Sequence, residues 1–186
     1  MTKHQRRTVH GGAGILACAL GLAAAGCGGG GGSSTQTQTG AQASTPLADH
    51  LTLSLSEDKT SAAVGDKVTY QITLSNPTAA PITSTYRGYP GTGPVTLDML
   101  LNPYDIGNFR VQDAAGELIA HDGTLSGFPP TPAAQLVSIT LQPAQSLSAT
   151  EVYTLIRTGV YTSAAALRNS DLSATPVAGP LTVTVH

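Results

Sequence analysis

The residues of this chain that could do chemistry are two cysteines, a few histidines and a scatter of carboxylates. Cys27 has the clearest setting, a thiol between the small residues Ala24-Ala25-Gly26 and the five glycines Gly28 to Gly32. His121-Asp122 could join one of many serines in a nucleophilic triad. Such a triad is recognised by geometry, which adjacency in sequence does not supply. Glu57-Asp58 is an acidic pair at the end of an alternating run and is expected to be a solvated edge. Asp98, Asp105, Asp113 and Asp122 fall in separate loops without the clustered oxygen spacing of a calcium loop. His50, His121 and His186 are far apart in sequence, so no metal-ligand spacing exists. Gly91-x-Gly93 is not followed by a helix and fails as a phosphate cradle. The expectation is a protein with no catalytic set, no metal and no cofactor.

Two loops carry residue types suited to binding. Tyr86-Arg87-Gly88-Tyr89-Pro90-Gly91 offers two tyrosines and an arginine, types enriched at protein interfaces. Leu125-Ser126-Gly127-Phe128-Pro129-Pro130-Thr131-Pro132 sets Phe128 in a frame stiffened by prolines, and a rigid loop loses less entropy on binding. Arg87, Tyr89 and Phe128 are therefore the candidate protein-binding residues. The plainer alternatives turn Phe128 inward as a plug and leave Tyr86–Gly91 an ordinary surface loop.

The elements that must position these residues begin after a processed leader. Lys3, Arg6 and Arg7 precede an apolar, small-residue stretch from Gly11 to Gly26, the pattern of a secretory signal peptide over residues 1–26. That stretch is too short and glycine-rich for a membrane span, which needs roughly 20 apolar residues. Residues 27–47 are rich in Gly, Ser, Thr and Gln, without apolar surface to offset the entropy of ordering, and read as a flexible linker reaching roughly 25 Å. Removing residues 1–26 leaves 160 residues with six cations against 11 acids, a net charge of −5. That balance gives no electrostatic footprint for nucleic acid. One cysteine remains, so the folded part cannot hold an internal disulfide and relies on its core.

From Leu51 onward the hydrophobic period is two. Leu51, Leu53 and Leu55 alternate with polar residues, as do Val68, Tyr70, Ile72 and Leu74, and Leu181, Val183 and Val185. Gly/Pro/Asn turn signals separate these runs from further strand candidates at 81–87, 95–101, 108–113, 117–121, 135–141, 146–156 and 159–167. No segment has the pattern of a capped helix. Many short strands over residues 48–186 predict an all-β protein, an antiparallel β-sandwich.

Two resemblances sharpen the reading. Ala24-Ala25-Gly26-Cys27 resembles the lipobox of bacterial lipoproteins. That implies a diacylated Cys27 as the first mature residue, and a chain anchored by lipid to a membrane of the bacterial cell envelope, facing periplasm or exterior. Cys18 is a rival position, and a plain signal peptide cut before Cys27 would leave a free thiol. Arg6-Arg7 leaves the twin-arginine export route open. Residues 51–186 resemble the BsuPI intracellular proteinase inhibitor family, an immunoglobulin-like sandwich. The likeness rests on Val68–Pro77 with Pro81-Ile82-Thr83, on Tyr104-Asp105 followed by Phe109–Ile119, on Ile139–Leu147 and on Gly159-Val160-Tyr161-Thr162. Ala144 stands where the family carries a turn glycine. The resemblance implies an immunoglobulin-like fold, with Tyr161 bonding back to a nearby loop backbone. The implied role is an anchored protein-binding or spacer domain. The alternative is a proteinase inhibitor acting outside the cytoplasm, with Phe128–Pro132 or Arg87–Gly91 obstructing a protease.

Overall fold

A computed structural model describes residues 40–89, 91–101, 109–124, 134–170 and 176–186. Its strands are β1 (Gln42–Pro46), β2 (Thr52–Glu57), β3 (Ser61–Ala62), β4 (Lys67–Ser75), β5 (Ile82–Gly88), β6 (Arg110–Gln112), β7 (Gln135–Leu141), β8 (Ser146–Thr154), β9 (Gly159–Ala165), β10 (Arg168–Asn169) and β11 (Ala178–Val185). They form three sheets, ordered β1-β2-β4-β8, β3-β11-β9-β6 and β10-β5-β7. Every pairing is antiparallel except that of β3 with β11. The chain is an all-β protein with the character of a β-sandwich, and no helix occurs among the described residues.

Alternation explains which face is buried. On β4, Val68, Tyr70, Ile72 and Leu74 are all fully buried, while Thr69, Gln71 and Thr73 point away. Leu53 and Leu55 of β2, Val137, Ile139 and Leu141 of β7, and Leu181, Val183 and Val185 of β11 join the same core. Burying each such side chain is worth about 1.5–3 kcal/mol, so this shared face is the main stabilising element. Tyr70, Phe109 and Tyr153 meet pairwise with ring centroids 5.3–5.8 Å apart, in tilted or edge arrangements.

Turn chemistry fixes the corners. Asn76 is buried between two connections. Its side-chain nitrogen donates to the Ala80 and Leu141 carbonyls at 2.8 and 2.9 Å, and its side-chain oxygen accepts from Thr78. Its own carbonyl accepts from Ala144 N across the β7–β8 turn. Ala144 holds φ of 61°, a left-handed conformation that glycine adopts at no steric cost. The Tyr161 hydroxyl donates to the Arg157 carbonyl at 3.0 Å, the corner bond expected of it.

Three expectations are corrected. The linker does not run to residue 47, because 42–46 form β1, paired along β2 from Gln42↔Ser56 to Pro46↔Thr52. Residues 95–101 are a turn rather than a strand. Leu97, Leu100 and Leu101 are buried at helical spacing, and Leu100 N and Leu101 N both donate to the Leu97 carbonyl at 2.9 Å. Residues 117–121 make an isolated bridge, Gln112↔Leu118, closing the turn capped by Asp113.

Candidate protein-binding surface

β5 and the 95–101 turn together position Arg87 and Tyr89. Tyr89 is half-buried, and its backbone N donates to the Met99 carbonyl at 2.8 Å. A Cβ on Gly88 would run into that same carbonyl and Leu100, so glycine permits the turn to press against the strand. Arg87 Nε donates to the Ser170 carbonyl at 3.2 Å and Nη1 to the Ala134 carbonyl at 3.4 Å. Its guanidinium thus ties the chain leaving β10 to the chain entering β7. Ala134 directly follows residues 125–133, which hold Phe128; Phe128 and Cys27 lie outside the described residues.

Arg87 has a neighbour that the sequence reading overlooked. It sits opposite Leu136 of β7 on one side and Arg168 of β10 on the other. Leu136 is 58% exposed, in the outward register of Ser138 and Thr140. Its parity is the available signal, because an apolar residue among outward polar ones has no core to enter. Tyr86, by contrast, is no interface residue. It is buried, and its hydroxyl donates to Asp49 Oδ2, holding the 47–51 turn over β5. Burial and the Asp49 contact raise the Tyr86 hydroxyl well above its ordinary value, so it stays protonated.

The candidate chemical groups are occupied in structure. His121 stacks on Tyr153, with Nδ1 at 3.1 Å from the Val152 carbonyl and Nε2 at 3.3 Å from Glu151. Asp122 accepts from Thr124 N and Oγ1, which hold its carboxyl below the ordinary range. His121 and Asp122 therefore point to different partners and form no relay. Asp66 accepts from Ala63 N, and Asp58 from Thr69 N. Among the described residues, no group of three or more His, Cys, Asp and Glu side chains could hold a metal.

The Glu57-Asp58 expectation is half wrong. Asp58 is exposed, but Glu57 is 4% exposed and neither of its carboxyl oxygens has a hydrogen-bond partner. The register carries the cause, since Glu57 continues the inward parity of Leu53 and Leu55. It lies opposite Tyr70, whose hydroxyl is likewise buried without a partner, and Tyr70 lies opposite Glu151 on its other side.

No protein-family model matches this chain, and no curated protein is similar to it in sequence. Among solved structures, a β-glucosidase from Listeria innocua in complex with gluconolactone is similar over 79% of this chain and 16% of that one. The identity is 10% and the TM-score 0.32, a likeness that carries no functional argument.

Proposed function

We propose that the protein is a non-enzymatic, lipid-anchored protein of the bacterial cell envelope whose sandwich domain docks another protein. The observation that carries the docking role is the row Arg168, Arg87 and Leu136 across β10, β5 and β7, with Leu136 exposed and Tyr89 just beyond. Arginine and tyrosine are among the residue types enriched at interface hot spots, and an exposed apolar side chain beside them offers surface that a partner would bury. Cys27, in its lipobox-like setting, supplies the anchor. The backbone, turn and ion-pair contacts of His121, Asp58, Asp66 and Asp122 support a structural use of the titratable groups.

The docking role is tested by placing a photo-crosslinking amino acid at Leu136 or at Val160 in cells that make the full chain. Val160 is 44% exposed on β9 and serves as the control. The expected result is a discrete adduct from position 136 that is absent from position 160 and weakened by Tyr89→Ala. Loss of an aromatic anchor typically costs roughly 1–3 kcal/mol of binding. No adduct at 136, or equal adducts at both positions, would contradict the docking role. An adduct with a protease that is blocked stoichiometrically by the pure protein would instead favour the inhibitor reading.

A further inference from the structure

Glu57 lies against residues 40 and 41, where the β1 arm enters the sheet. Its backbone N donates to the Ala41 carbonyl at 2.9 Å, and a Cβ on Gly40 would overlap the Glu57 carbonyl oxygen. The first residues of the β1 arm therefore lie directly on the Glu57 backbone. Its side chain points the other way, into the core, where both oxygens lack partners beside the equally unpaired Tyr70 hydroxyl. Uncompensated burial of a carboxylate is far more costly than burial of the neutral acid.

The charged and titratable groups around Glu57 do not relieve that cost. Asp58 follows it in sequence, Tyr70 faces it from β4, and Glu151 lies on β8 beyond Tyr70. Glu151 lies 3.3 Å from His121 Nε2 and feels Asp98 as well. Tyr153 and Phe109 close the cluster with aromatic rings. The surroundings are thus acidic or neutral toward Glu57.

We propose that Glu57 is a proton-operated latch on the β1 arm: the arm is docked on β2 while the carboxyl is neutral and is released from it when the carboxyl ionises. An ionised Glu57 must reach water, and the β1 arm covers one flank of it: Ala41, next in register opposite Glu57, packs on the core from the same face, so lifting the arm uncovers the carboxyl. Release would free residues 40–46 from the sheet and lengthen the chain between Cys27 and the sandwich. Burial first, and Asp58 second, push the Glu57 carboxyl up to about 7 from 4.5. The sign follows from linkage. Below about 4.5 both docked and released forms are protonated and docking is strongest. Between about 4.5 and 7 only the released form ionises, so docking weakens as pH rises. Above about 7 both forms are ionised and the dependence levels off.

The test is amide hydrogen exchange on the full chain, read as protection factors at Glu57 and along β1 between pH 5 and 8. Protection is expected to fall by up to about tenfold per pH unit below neutrality. Glu57→Gln, neutral at every pH, should abolish that dependence, while Tyr70→Phe should leave it in place. Gly40→Ala should remove protection at Glu57 at every pH. Infrared difference spectra of the unmutated chain should show loss of a carboxylic-acid carbonyl band through neutrality, and this band should be absent from Glu57→Gln. An identical pH profile in wild type and Glu57→Gln, or no such band, would overturn the latch.

Discussion

At the scale of single residues, the structure is governed by whether each polar or strained group has been compensated. Asn76 is buried and its side chain is satisfied on both donor and acceptor sides, so it clamps two turns together. Glu57 is the opposite case, buried with nothing to accept its charge. Ala144 stores a smaller strain, since a left-handed non-glycine residue costs roughly 1–2 kcal/mol. Part of that is offset because glycine has more freedom to lose on folding. Ala144→Gly should therefore stabilise the protein by about 0.5–1 kcal/mol in a urea titration, without changing the denaturant slope. A destabilised variant would mean that the β7–β8 turn is not strained. The turn role of residue 144 was legible from its place in the Gln142-Pro143-Ala144 signal. The burial of Glu57 was legible too, by extending the Leu53–Leu55 parity one step, but its carboxylate argued for solvent more strongly than its position argued for the core.

At the scale of elements, period-two alternation located β2, β4 and β11, and the turn signals between them bracketed β5, β7, β8 and β9; each buries one face against the same core. It failed where burial was not the organising force. β1 has little apolar surface of its own, and it is ordered by backbone pairing to the edge of β2. β3 and β10 are two residues each, too short to show any period. Residues 95–101 misled in the other direction. Val95, Leu97, Met99 and Leu101 alternate, yet the buried set is Leu97, Leu100 and Leu101, and the backbone follows that helical spacing. The claim that β4 is the centre of the core has a direct test. Ile72 is fully buried between Leu55 and Ala149 in register. Ile72→Ala should cost on the order of 2–5 kcal/mol in equilibrium unfolding. A loss below about 0.5 kcal/mol would mean that the strand does not carry the core.

At the scale of the whole molecule, the candidate surface was only partly legible in sequence. Arg87 and Tyr89 were visible as residue types in a glycine-rich loop. Leu136 was not, because its significance depends on β5 and β7 lying side by side although their sequences are far apart. The function we propose joins that surface to an anchor, and the anchor rests on one thiol. Cys27 would be acylated within the residues that precede the sandwich, leaving the domain tethered but free to meet a partner. The most direct measurement is the membrane partition of the full chain and of Cys27→Ser, made in the same bacterial cells and fractionated side by side. The account predicts that the unmutated protein sediments with membranes and extracts into detergent, while Cys27→Ser is found in the soluble or secreted fraction with its domain intact. Equal retention of both proteins in the membrane fraction would contradict it.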